Sequence, residues 1–118
     1  MPAKDWWLRI EDILAAILKI QDYTAGMDQK AFAADSKAFD AVLRNLTIIG
    51  EAVRHIPDPV VVRFGDVPWN RMRAMRNFLV HDYPSVDLGI VWHTIREDLP
   101  PLVPLLQRML AAAEDLQN

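Results

Sequence analysis

The chain has 118 residues, a formal net charge of −3, 52% apolar and 25% charged residues, and no cysteine. That length supports one core and not two, and the missing thiols exclude a disulfide framework, a thiolate metal site and a cysteine nucleophile. The acidic balance argues against a protein that grips duplex nucleic acid by charge alone.

No apolar run approaches the roughly 20 residues of a membrane span, and the opening MPAKDWWLRIED lacks the apolar region of a signal peptide. The expectation is therefore one cytoplasmic domain over residues 1–118, with no membrane association. Glycine is scarce and strand-like alternation is absent, whereas helical periodicity is strong. From Trp6 to Tyr23 the apolar positions 6, 10, 13, 14, 17, 18 and 20 form a helical stripe, and Gly26 suits the stop beyond it. AGMDQKAFAAD reads as a loop with one short helical turn.

A second long helix is predicted from an N-cap at Asp35 or Ser36, through Phe39, Val42, Leu43, Leu46, Ile49, Val53 and Ile56, until Pro57 and Pro59 end it. Gly50 on this helix would permit close approach of a neighbour. After a connector, PDPVVVRFGDV, Pro68 suits the first turn of a third helix, which must end near Asp82 because Pro84 disfavours helix at Tyr83. Ser85 or Asp87 can start a fourth helix through Trp92 and Ile95. DLPPLVPLLQRMLAAAEDL then predicts a kink and a last helix. The fold expected is all-α, a bundle of four or five helices.

The third helix carries MRAMRNFLVHDYP, residues 72–84. Met72, Met75, Phe78 and Leu79 supply an apolar face, while Arg73, Arg76, Asn77, Val80 and His81 follow the i, i+3, i+4, i+7, i+8 spacing of a second stripe. A histidine in the last turn is favoured in its protonated form by the helix dipole and can both accept and donate a proton near neutrality. An arginine offers a planar set of donors suited to phosphate oxygens. Together they suffice to cleave RNA without a metal, because RNA supplies its own nucleophile, the 2′-hydroxyl. His55, His81 and His93 show no ligand spacing, so neither metal nor cofactor is expected. On one ideal helix Arg76 and His81 diverge by about 140°. They flank a groove more naturally than they converge, and a two-fold partner would complete a composite site; a homodimer is expected on this ground.

Arg76, His81 and Tyr83 reproduce the R-x4-H-x-Y signature of the HEPN superfamily, and the chain most resembles its HepT toxin branch. The likeness extends over NLTIIGEAVRHIP, VPWNRMRAMRN and VDLGIVWHTIREDLPPL, in the same order. The resemblance implies a HEPN-like helical homodimer whose two motifs face each other, acting as a metal-independent ribonuclease. It implies Arg76 and His81 as catalytic residues, with Asn77 counted beside them. It also implies an MNT-type nucleotidyltransferase antitoxin as partner, which silences the toxin by moving AMP from ATP to Tyr83. Arg71 and Arg73 are secondary candidates for RNA contact, because a cluster of arginines attracts RNA even when solvated.

Each of these residues also has a structural role open to it. His81 could cap its helix, Arg76 could pair with Glu51, Asn77 could hydrogen-bond across a dimer, and Tyr83 could pack on the next helix. Arg63, Arg71 and Arg73 could form a solvated face. The four tryptophans suit core or interface positions better than base-stacking platforms. The alternative function is a helical interaction module that binds nucleotide or the nucleotidyltransferase and cuts nothing.

Overall fold

The computed structural model describes residues 5–77 and 87–117, and all regular structure among them is helical. Two long helices, α1 (Trp6–Tyr23) and α3 (Ser36–Val53), form the framework. They run side by side in opposite directions: Arg9 and Asp12 share a cavity with Glu51 and His55, while Tyr23 shares another with Asp40 and Arg44. The predicted stripes are the buried ones. Ile10, Ile13, Ile17 and Ile20 of α1 meet Val42, Leu43, Leu46 and Ile49 of α3, all at 1% exposure or less. At period 3.6 these β-branched and leucine side chains stack on a single face of each helix. Leu18, counted in the stripe of α1, lies outside it and is 49% exposed.

The helix ends have chemical causes. After α1 the Thr24 hydroxyl donates to the carbonyl of Ile20 at 2.9 Å, and Gly26 takes φ 75, a left-handed conformation that glycine adopts without a Cβ penalty. The Asp28 carboxylate accepts from Ala31 N at 2.8 Å and starts the short helix α2 (Gln29–Ala34). Asp35 does the same for α3, accepting from Ala38 N at 3.0 Å.

The connector predicted after α3 contains a helix of its own, α4 (Asp58–Arg63). Pro59 cannot continue α3, but it fits the first turn of the next helix, where its missing N–H has no partner to lose. Pro68 then caps α5 (Trp69–Ala74). The long third helix expected to reach Asp82 does not run unbroken even within the described residues. Past Ala74 the chain tightens, with Met75 N donating to Met72 O at 3.2 Å and Arg76 N to Arg73 O at 3.4 Å, both three residues back. Residues 78–86 lie outside the description.

On the far side of that segment, Asp87 accepts from Gly89 N at 2.8 Å and Ile90 N at 3.2 Å, opening α6 (Leu88–His93). A π-helical turn, Thr94–Asp98, continues α6, and α7 (Leu102–Gln117) follows Pro100 and Pro101. Packing places α7 on α1, α5 on α3, and α6 on α2. The α2–α6 contact centres on Phe32, fully buried, whose ring lies 5.3 Å from Trp92 and 5.6 Å from Phe39. Arg96 covers Trp92 at 4.4 Å and donates to the carbonyl of Met27, which pins α6 at a second point. None of the described helices is long and apolar enough to cross a membrane.

Candidate active site on the α5 turn

The spacing of α5 separates its two faces. Trp69, Met72 and Met75 recur every third residue and are buried, at 5%, 0% and 3% exposure. Trp69 also satisfies its indole N–H, which donates to the carbonyl of Phe64 at 3.0 Å. The residues between them, Asn70, Arg71, Arg73, Arg76 and Asn77, are left exposed or half-buried. The apolar-and-polar division read from the sequence therefore holds as far as Asn77. Phe78, Leu79, Val80, His81 and Tyr83 lie outside the described residues.

Arg76 is held from two directions by α3. Its backbone crosses Gly50 so closely that a Cβ built on the glycine would fall 2.7 Å from Arg76 N and 2.8 Å from Arg76 Cβ. One residue along α3, the Glu51 carboxylate lies 3.3 Å from Arg76 Nε. The other oxygen of Glu51 accepts from Arg54 Nη1 at 3.2 Å. The pairing of Arg76 with Glu51, raised above as a structural alternative, thus exists. It does not consume the guanidinium: Arg76 remains 38% exposed, and its Nη atoms carry four of its five N–H donors. Exposed pairs of this kind contribute at most about 1 kcal/mol to stability, so orientation is the larger consequence.

Arg71 and Arg73 face elsewhere. They line a cleft of about 540 Å³ with Pro68, Trp69 and Asn70, and Arg76 is not part of it. Arg73 donates to the Asn70 side-chain oxygen at 2.7 Å, and among the described residues no carboxylate pairs with it. Arg71 approaches Asp98 at 3.5 Å, and the same Asp98 oxygen lies 3.8 Å from His93 Nε2. Asp66, the only acid within the arginine-rich stretch, turns away to Arg108 at 2.9 Å. Arg63 lies over the Phe64 ring at 5.1 Å.

Two of the residues considered from sequence sit away from this turn. His55 is exposed at the end of the α1–α3 cavity, and His93 is 66% exposed beside Asp98. The tryptophans take core positions: Trp6 and Trp69 are buried, and Trp7 and Trp92 pack half-buried against the same cluster. Asp98 was not singled out by sequence reasoning. It lies 27 residues from Arg71, and no local pattern signals such a pair.

This arrangement can do two things chemically. It offers a fixed, partly exposed guanidinium immediately before the segment with His81, and a second cationic cleft on the same helix. Comparison with known proteins agrees with that equipment. The family model described as "Ribonuclease HepT-like" matches residues 13–109. The chain is 40% identical over 93 residues to the "Probable ribonuclease HepT" of Thermococcus cleftensis, covering 79% of this chain and 84% of that one. It is 32% identical over 114 residues to a protein named "Putative RNase" from Methanocaldococcus jannaschii, covering 97% and 94%. A third relative, from the same archaeon and named "Gamma-glutamylcyclotransferase and putative RNase", is 30% identical over 115 residues, which are 98% of this chain and 52% of the longer protein. No solved structure matches the chain. On the extent of the family match alone, the chain belongs to the HepT-like ribonuclease family.

Proposed function

We propose that this chain is the ribonuclease toxin of a two-gene toxin–antitoxin system, cutting RNA without a metal ion in a cleft between two copies. The match to a ribonuclease family over residues 13–109, which include the whole R-x4-H-x-Y segment, carries the reading. In the proposed reaction His81 takes the proton of a ribose 2′-hydroxyl as that oxygen attacks the adjacent phosphorus. The O2′–P bond forms and the P–O5′ bond breaks. The departing 5′-oxygen is protonated, by His81 of either copy, leaving a 2′,3′-cyclic phosphate and a 5′-hydroxyl. Arg76 steadies the charge that builds on the non-bridging oxygens, and Asn77 assists beside it.

Silencing is proposed to run through Tyr83. Its phenolic oxygen attacks the α-phosphorus of ATP on an MNT-type nucleotidyltransferase, pyrophosphate leaves, and AMP remains on the tyrosine. That places a bulky anion two residues from the catalytic histidine. In the alternative, a helical interaction module that cuts nothing, the pairing of Arg76 with Glu51 is structural only.

The two readings separate in one experiment. The purified, unmodified protein is incubated with total cellular RNA in EDTA beside His81→Ala and Arg76→Ala, and new ends are mapped. Cleavage by the parent alone, with cyclic phosphates at the new 3′ ends, supports the nuclease. Equal traces from all three proteins, with dimerisation and partner binding intact, support the interaction module.

A further inference from the structure

We propose that Glu51 is a positioning residue for Arg76, holding the guanidinium by its Nε flank so that the Nη edge is presented to the RNA phosphate. This rests on the nuclease reading of the same site.

Three observations converge. The Glu51 carboxylate meets Arg76 at Nε, 3.3 Å away, at the inner flank of the guanidinium. Its second oxygen is anchored by Arg54 Nη1 at 3.2 Å, so the carboxylate is held on both sides. The neighbouring Gly50 brings the α3 backbone against the backbone of Arg76, which fixes the distance from which Glu51 reaches. An arginine carried on a turn has several rotatable bonds, and a phosphate-binding fork is useful only when it points one way. A carboxylate at Nε removes much of that freedom while leaving the four Nη N–H donors for a ligand. A phosphate approaching the Nη edge therefore meets an oriented fork without displacing Glu51.

The test compares the parent with Glu51→Ala and Glu51→Gln, using a short oligoribonucleotide that spans a cut mapped in cellular RNA. Glu51→Ala lowers kcat by roughly ten- to a hundredfold, the scale of a misplaced catalytic group, while KM stays within about twofold because the cationic cleft is untouched. Glu51→Gln keeps an oxygen of the same reach beside Nε and gives up the charge, so it recovers part of the rate. Independently of cleavage, the Arg76 Nε–H resonance, assigned by its loss in Arg76→Lys, shifts and exchanges faster with solvent in Glu51→Ala. Circular dichroism and thermal melting exclude simple unfolding.

A kcat unchanged in Glu51→Ala, or an Nε–H resonance unmoved by Glu51→Ala, would each overturn the proposal. If the parent cuts no RNA, the nuclease reading fails by itself, and the resonance alone decides whether Glu51 holds Arg76.

Discussion

Gly50 and Arg76 meet backbone to backbone: a Cβ on Gly50 would lie 2.7 Å from Arg76 N and 3.1 Å from Arg73 O. No side chain separates α3 from the turn that follows α5, so the position of Arg76 is set by the main chain of another helix. Glycine inside a helix costs about 1 kcal/mol relative to alanine. Here the cost is offset by an approach that no other residue permits.

Gly50→Ala therefore sets two effects against each other. Alanine gains about 1 kcal/mol in helix propensity, while overlap with backbone atoms that cannot rotate away costs about 1–3 kcal/mol. The expected outcome is a net loss of roughly 0–2 kcal/mol in urea denaturation and a larger fall in RNA cleavage, because relief of the overlap displaces Arg76. Gly65→Ala is the control. Its added Cβ would meet only Val62 O, at an ordinary 3.5 Å, and the urea midpoint is expected not to fall.

Arg71 and Arg73 share a cleft but not an electrostatic situation. Asp98 lies 3.5 Å from Arg71, whereas Arg73 bonds to the neutral Asn70. Each phosphate contact on a single strand contributes about 0.7 to the slope of log affinity against log salt. Arg73→Ala is expected to reduce that slope by close to a full contact, and Arg71→Ala by less, because Asp98 has already partly neutralised it. Anisotropy of a 2′-O-methyl oligonucleotide, which binds without being cut, checks this across a potassium chloride series. Equal slopes for both variants and the parent would remove this cleft from the RNA path.

The aspartates that open helices are a third target. Asp35 accepts one backbone N–H at the start of α3, and Asp87 accepts two at the start of α6. Replacing either with alanine is expected to cost about 1 kcal/mol, seen as a lower urea midpoint. Asp35→Ala leaves the α5 turn alone and is expected to spare cleavage. Asp87→Ala frays the first turn of α6, four residues beyond Tyr83 in the sequence, so cleavage should fall beyond what stability explains.

These caps show what sequence reasoning can reach. Asp35, Asp87, Gly26 and the stripes of α1 and α3 act within a few residues of themselves, and a one-dimensional pattern records such effects directly. Pro59 misled because one rule has two readings: proline is barred from a helix interior, and it also suits the first turn of α4, while α3 has already ended at Val53. The tightening at Met75 and Arg76 was invisible because the apolar spacing of 69, 72 and 75 fits either a regular helix or a three-residue turn. Asp98 with Arg71, and Asp66 with Arg108, are pairs across 27 and 42 residues, which only the packed fold brings together. In the candidate site the contact of α3 with Arg76 was foreshadowed by Gly50 and Glu51 as adjacent letters. Their combined effect on one side chain required the crossing of two elements.

The last prediction concerns silencing. AMP transfer to Tyr83 requires a nucleophilic oxygen, and phenylalanine differs from tyrosine by that oxygen alone. With the purified nucleotidyltransferase and ATP labelled at the α-phosphate, the parent is expected to take up label and lose cleavage together. Tyr83→Phe is expected to take up none and to keep cutting in the same mixture. Its behaviour in cells then divides two modes of control: growth arrest despite the antitoxin means modification is the restraint, whereas normal growth means that the partner also blocks the site by sitting on it. Label on Tyr83→Phe at the level of the parent would place the acceptor elsewhere. Tyr23, 41% exposed on the α1–α3 face, is the other tyrosine of the chain, and Tyr23→Phe tests that placement.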